Sequence, residues 1–349
     1  AFKDIAMQVI GNMYEKILKK NNSKINIVVA TSGDTGAAAI NAIKDRKNMK
    51  IFVLHPYKKI SEVQRKFMTS VNSKNVFNIA IRGNFDECQK LVKFMFKDKL
   101  FINSINLSGV NSINWSRIIV QIVYYFYAYF RTSSKGEKII FSVPTGNFGD
   151  VYAGYIAKKM GLPIKKLIIA TNKNDILKRV VQNGLYKPSK VYHTVSSSMD
   201  IQVASNFERL VFDICSRNSV RTLKLMNDLN IKGKFKLKRN ELKRIKFFFS
   251  SDCLSEKETK VFINKFYKKE KVLIDPHTAV GAGVVNKLSL KGNVVVLATA
   301  HPAKFPKVVI KQTNIKPKLP KSLKNIFNKK EIYKKLPKNI KILKNYILE

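Results

Sequence analysis

Short β-branched runs alternating with longer stretches of helical spacing set the first limit on what this chain can become. Residues 25–30 (INIVVA), 51–54, 76–81, 139–143, 167–170 and 294–298 read as strands buried on both faces. Residues 36–45, 61–70, 85–96, 115–130 and 149–159 repeat apolar positions at helical spacing. Strands that alternate with helices join through crossovers, which build a parallel sheet covered on both sides. The expected class is α/β: open parallel twisted sheets with helices on both faces.

The remaining stretches organise around that frame. Residues 186–230 and 232–268 are helix-rich and strand-poor, and are expected to form an insertion into the sheet domain. The expected organisation is an α/β region over 1–185, a helix-rich insertion over 186–268, a return to the sheet over 269–313, and a basic linker over 314–349 ending in a helix at 339–348. The most apolar stretch, 113–130, contains Arg117 and Gln121 and reads as a buried or amphipathic helix, so no membrane span is expected. The sequence opens Ala1-Phe2-Lys3-Asp4, with no initial Met and no signal or transit pattern, and is expected to be a fragment or a processed form.

Charge narrows the partners. There are 66 Lys+Arg against 23 Asp+Glu, a net charge of +43, yet 45% of the 349 residues are hydrophobic, enough to bury a core. Only 11 of the basic residues are Arg, and the Lys are spread along the chain. Readers of nucleic acids favour Arg and group their bases beside stacking aromatics, so the lysines read as a general surface and no specific nucleic acid is expected. An electrostatic partner stays open for 304–349, with 14 Lys and 2 acids. Cys88, Cys215 and Cys253 are far apart and in no CxxC pair, which argues against disulfides and structural zinc. A reducing, cytoplasmic setting and no metal are expected.

Chemistry concentrates in two turns. Thr31 to Gly36 (TSGDTG) follows the first strand, and Pro144 to Gly149 (PTGNFG) follows IIFSV; each precedes a helix. Such turns present backbone amides and a helix N-terminus to an anion, or simply make a tight turn with an N-cap. Neither is a Walker A loop or a GxGxxG motif. Gly281-Ala282-Gly283 follows no strand and reads as close packing within a helix. Other clusters of small polar groups are NSINWSR (111–117), SSSMD (196–200), DPHTAVG (275–281) and TAHPAKFP (299–306). Arg117 opens an otherwise apolar helix and needs an anionic partner, either an internal carboxylate or a substrate phosphate or carboxylate. Thr299 follows a strand, where its hydroxyl is a local cap or a ligand contact.

Together these motifs resemble the threonine synthase family. AFKD at 1–4, TSGDTG, HPYKKISEVQ from His55, NSINWSR, PTGNFGD, SMDI from Ser198, DPHTAVG, TAHPAKFP and the final LPKNIKILKNYI occur in that family's order and cover essentially the whole chain. The resemblance implies the tryptophan synthase β-like fold, called fold type II among enzymes that use pyridoxal 5'-phosphate (PLP), with residues 1–185 as the cofactor-binding region. It implies conversion of O-phospho-L-homoserine and water to L-threonine and phosphate. The family's HGPT stretch, which directly precedes its lysine, has no counterpart here.

The resemblance also assigns roles. Lys3 is the lysine that holds the cofactor as a Schiff base and shuttles protons. Gly146, Asn147, Phe148 and Gly149 wrap the cofactor phosphate, and Thr299 hydrogen-bonds its pyridine nitrogen. Asp34 lies near the cofactor ring oxygen, and Ser32, Gly33 and Thr35 near the substrate carboxylate. Ser112 and Arg117 hold the substrate phosphate. Asp200, Asp275, His277 and Lys304 shape the pocket or brace it. The oligomeric state stays open. Two alternatives remain at this point: another PLP-dependent lyase or dehydratase of the same fold, and a non-catalytic homologue with a basic, polyanion-binding surface.

Overall fold

The computed structural model describes residues 2–31, 33–134 and 136–349. Two compact units divide the chain: Ala1–Arg117 with Leu319–Glu349, and Ile118–Lys318.

In the first unit, α1 (Phe2–Lys20) precedes β1 (Ile25–Ala30), α2 (Asp34–Ile43), β2 (Met49–Pro56), α3 (Glu62–Thr69), β3 (Val76–Ile81), α4 (Phe85–Met95), α5 (Lys99–Ile105) and β4 (Leu107–Ser108). The chain leaves this unit in the first turn of α6 (Trp115–Thr132). Local chemistry starts these helices where they start. The Ser61 side chain accepts from the Gln64 amide to cap α3, and Asn84 and Glu87 form a reciprocal capping box on α4.

The second unit continues with β5 (Ile139–Pro144), α7 (Gly149–Lys159), β6 (Ile164–Thr171), α8 (Ile176–Asn183), β7 (Leu185–Tyr186), α9 (Phe207–Ile214), α10 (Ser219–Lys232), β8 (Phe235–Lys236), α11 (Arg239–Phe248) and β9 (Phe249–Cys253). After α12 (Glu256–Glu270), α13 (Pro276–Lys287), β10 (Val294–Val296) and α14 (Pro306–Thr313), the chain returns to the first unit with β11 (Lys334–Leu336) and α15 (Ile340–Leu348).

Each unit is built on one parallel sheet, of order β11-β3-β2-β1-β4 in the first and β10-β5-β6-β9 in the second. Alternate residues of each strand enter different cores, which is why the strands read as unbroken apolar runs. Ile27, Val29, Ile51 and Val53 pack with Ala38, Ala39 and Ile40 of α2, whereas Val28, Phe52, Leu54 and Ile79 face Leu343 and Ile347 of α15. In the second unit Phe141, Val143, Leu167 and Ile169 share a core with α6, α7 and α9, and Ile140, Ile168 and Ala170 pack on Val280 and Val284 of α13.

Gly281 and Gly283 lie within α13. A Cβ at Gly281 would stand 3.0 Å from Pro144 and Val296, and one at Gly283 would stand 2.3 Å from Leu254. Close packing, as the sequence suggested, is their use. No helix among the described residues is long and apolar enough to cross a membrane.

Within the helix-rich stretch 232–268 the structure adds a strand the sequence did not single out: 249–253 pairs with β6, with Phe249 buried in the core and the Ser251 hydroxyl donating to the Ile169 carbonyl at 2.8 Å. A hydroxyl satisfied by the neighbouring strand lets a polar sequence occupy a sheet edge. The C-terminal residues are tied down similarly. Arg65 donates twice to the Glu331 carboxylate (2.8 and 3.1 Å), and the Thr69 hydroxyl donates to the same group at 2.7 Å.

His55, next to last in β2, is almost fully buried, edge-on to the Tyr333 ring at 6.2 Å, and burial pushes its imidazole down to about 4. An unfolded histidine takes up its proton near pH 6.5, so between about 6.5 and 4 the unfolded chain binds more protons than the folded one. Stability is therefore lost as pH falls through that window. Replacing His55 by Phe is expected to flatten this part of the profile, by a few kcal/mol at most near pH 4, in urea unfolding at a series of pH values. Identical pH slopes in the two proteins would refute it.

Candidate active site

All strands of a parallel sheet end on one edge, where ligands bind to the turns that follow. In the second unit that edge carries the turn after β5. The Thr145 amide donates to the Ala170 carbonyl at 2.8 Å, and its hydroxyl to the Val143 carbonyl at 2.6 Å. A Cβ on Gly146 would stand 2.9 Å from the Ser198 carbonyl and 3.2 Å from Met199 Cα, so only glycine fits. Phe148 adopts a left-handed conformation (φ 67°) that a side chain rarely takes. Its buried ring is held edge-on to Phe207 at 5.2 Å and near Phe249 at 5.9 Å. α7 then begins with no side chain capping its amides, and amides at a helix N-terminus favour an anion.

Thr299 follows β10, the strand beside β5, and so shares this edge. It is 7% exposed, and no hydrogen bond to its hydroxyl is present among the described residues. Asp200 is a brace. Its carboxylate accepts from Asn172 (2.8 Å), Asn174 (3.1 Å), the Thr194 hydroxyl (2.6 Å) and the Thr194 amide (2.9 Å), which fixes the loop whose Ser198 carbonyl abuts Gly146. Asp275 caps α13, accepting from the His277 amide and contacting its Nδ1 at 2.9 Å. The His277 ring in turn lies edge-on to Phe305 at 5.0 Å, next to the buried Lys304.

The first unit gathers the other sequence-derived residues. Gly33 (φ 140°) lies against Gln64 of α3, and the Thr31 hydroxyl accepts from the amides of Gly33 (2.9 Å) and Gly36 (3.0 Å), folding the loop back on itself. Asp34 is buried at the start of α2, followed by Thr35; Ser32 lies outside the described residues.

α1 and α2 run side by side in the same direction. A Cβ at Gly11 would stand 2.5 Å from the Ala42 carbonyl, and one turn further along Arg46 pairs with Glu15 and Asn12. Lys3 lies in the first turn of α1 and Asp34 in the first turn of α2. β4 pairs with β1, so the segment carrying Ser112 and Arg117 leaves the same sheet edge as Gly33 and Asp34.

Arg117 is 3% exposed in the first turn of α6, with its guanidinium donating to the Val110 carbonyl at 3.2 Å. A buried cation at the positive end of a helix is a natural anchor for an anion.

Comparison with known proteins decides the family. A family pattern described as pyridoxal-phosphate dependent enzyme matches residues 1–227, and one described as threonine synthase, C-terminal, matches 278–347. The threonine synthase of Pseudomonas aeruginosa is 43% identical over 343 residues, covering 97% of this chain and 73% of the relative. The chain belongs to the threonine synthases. The solved PLP-bound threonine synthase from Brucella melitensis matches with a TM-score of 0.97 at 45% identity, over 100% of this chain and 75% of that one. That from Escherichia coli matches with a TM-score of 0.81 at 31% identity, over the same shares. These matches bear out the expected fold type II and PLP-dependent lyase class.

PLP is the cofactor of this family, and the residues present suit it. The turn at 146–149 has room for no side chain at Gly146 and leaves helix amides without a side-chain cap, and the Thr299 hydroxyl, with no hydrogen bond among the described residues, stands on the neighbouring strand's edge. Such a donor set matches a phosphate and a heteroaromatic nitrogen.

Sequence reasoning passed over Asp150, in the first turn of α7. It is buried, and burial pushes its carboxyl up to about 7; the Tyr125 hydroxyl lies 3.2 Å from its Oδ1 and 2.8 Å from its carbonyl. The folded chain then holds a proton that the unfolded chain releases near pH 3.8, so stability falls as pH rises from about 4 to 7, opposite in sign to His55. Asp150→Asn is expected to gain stability over the wild type at pH 8, on the order of a few kcal/mol, and little at pH 4. Equal effects at both values in denaturant melts would refute the assignment.

Proposed function

We propose that this chain converts O-phospho-L-homoserine and water to L-threonine and phosphate, with Lys3 as the amine that holds the cofactor and moves protons. Membership of the threonine synthases supports the reaction; the match of residues 1–4 to the family's AFKD motif supports the assignment of the amine. Bound PLP supplies an electron sink that makes a carbon-bound proton acidic. Lys3 takes the α-proton and returns protons as the chemistry advances, a task for an amine held at fixed distance. Asp34 faces the cofactor ring oxygen, while Gly33, Thr35 and Ser32 hold the substrate carboxylate. Gly146, Asn147, Phe148 and Gly149 hold the cofactor phosphate. Thr299 hydrogen-bonds the pyridine nitrogen without requiring it to be protonated, as a carboxylate would.

The buried Arg117 carries this reading. With Ser112 it binds the substrate phosphate and neutralises the charge that grows as that phosphate departs, so its effect is greatest in the transition state. Three thiols without disulfide partners suit a reducing, cytoplasmic setting.

Arg117→Ala is expected to lower turnover about 100-fold or more while the cofactor stays bound, read by phosphate release beside the cofactor's absorption band. Unchanged turnover removes Arg117 from the site. For Lys3, borohydride reduction of the full chain with PLP, followed by peptide mapping, is expected to place the label on Lys3. Lys3→Ala is expected to lose both label and turnover, and a label elsewhere refutes the assignment.

A further inference from the structure

The turn after β5 is gripped from behind by one segment. The Asn147 carbonyl accepts two hydrogen bonds from Asn206, one from its backbone amide and one from Nδ2, each 3.1 Å long. Asn206 is fully buried, and its Oδ1 accepts from Arg209 Nε at 3.2 Å, which fixes the side-chain amide so that its donor edge faces Asn147. The next residue, Phe207, packs edge-on against Phe148 at 5.2 Å. Adjacent residues thus hold the carbonyl on one side of the 147–148 peptide and the ring on the other.

The consequence follows from peptide geometry. In a trans peptide the carbonyl and the next N–H point in opposite directions, and no cis bond is present among the described residues. Anchoring the Asn147 oxygen on Asn206 therefore turns the Phe148 amide away from Asn206. It also selects the left-handed conformation at Phe148, which costs about 1–2 kcal/mol and persists only where its surroundings impose it. A left-handed residue in a turn that runs into a helix is how successive amides converge on an anion.

We propose that Asn206 is the positioning residue of the cofactor-phosphate cradle: by holding the Asn147 carbonyl it aims the Phe148 amide at the phosphate. The proposal rests on the reading of Gly146 to Gly149 as that cradle. Asn206 does not touch the cofactor and takes no part in the chemistry at Lys3. Its removal should weaken recognition of the phosphate and nothing else.

The test compares PLP with pyridoxal, which lacks the phosphate but keeps the aldehyde and ring. Both are titrated by absorbance into the full chain, as wild type, Asn206→Ala and Asn206→Asp. Aspartate keeps the size and the Arg209 contact but loses the donor, and serves if alanine lowers the folded yield. The expected result is a loss of about tenfold or more in PLP affinity in both variants, with pyridoxal affinity unchanged. A loss equal for both ligands would mean that Asn206 only supports the fold, and would overturn the proposal. Variants that retain the wild-type preference for PLP would overturn it too, while leaving the cradle in place. A wild type that binds PLP no more tightly than pyridoxal would instead refute the cradle itself.

Discussion

Every strand pair in the two large sheets is parallel, and the rest of the structure depends on that constraint. Parallel pairing forces a crossover after each strand, buries both faces, and delivers every following turn to the same edge. Residues far apart in sequence then meet without any contact between them being specified. Gly33 and Ser112 follow the paired strands β1 and β4; Gly146 and Thr299 follow the paired strands β5 and β10. What the sequence must encode locally is small: a glycine where a backbone passes, a hydroxyl that folds a loop on itself, and a helix that starts without a side-chain cap.

Legibility followed how local each signal is. Strands 25–30 and 76–81 and helix 149–159 match the structure residue for residue, because burial on two faces or one clean face leaves a periodic trace. α1 left none. Its exposed Ile5, Val9, Met13 and Ile17 adjoin the buried Ala6, Met7, Ile10 and Leu18 around the helix, so the apolar surface is too broad to leave a clean period. β11 is three residues, two of them exposed lysines, and exists only because β3 offers it an edge. Among the site residues, the motifs reached those on the glycine turns and Asp200 as a residue that shapes or braces the pocket, and missed Asn206. Asn206 grips a carbonyl 59 residues away, and Asp200 gathers donors from 172, 174 and 194. No spacing rule records such contacts, and in a chain so rich in Asn, Asn206 does not stand out by type.

The two βα turns solve one steric problem differently. At 31–36 the conformation is borne by glycine: Gly33 takes a φ closed to other residues, and a Cβ there would stand 2.8 Å from Gln64. At 144–149 the left-handed position is Phe148, and aromatic packing together with the Asn206 hydrogen bonds outweighs the strain. Glycine gives a loop freedom that binding must later remove, whereas a buried phenylalanine leaves the turn one conformation before any ligand arrives.

The excess of base poses a separate problem, since 23 acids cannot pair 66 cations. Part of the answer lies in the backbone. Lys66 donates to the carbonyls of Phe327 and Lys329, Lys158 to those of Ile164 and Lys165, and Lys166 to those of Lys246 and Phe247. Lys66 and Lys166 satisfy oxygens in a loop or at the end of α11, where intrahelical donors have run out, and Lys158 satisfies carbonyls at the start of β6. The aliphatic stem covers apolar surface on the way, as when Lys158 passes over the rings of Phe247 and Phe248. Lysine used in this way does structural work that acids or neutral polar residues do in less basic chains. A charge of +43 is therefore compatible with an ordinary enzyme core, and it supplies no argument by itself for a polyanionic partner.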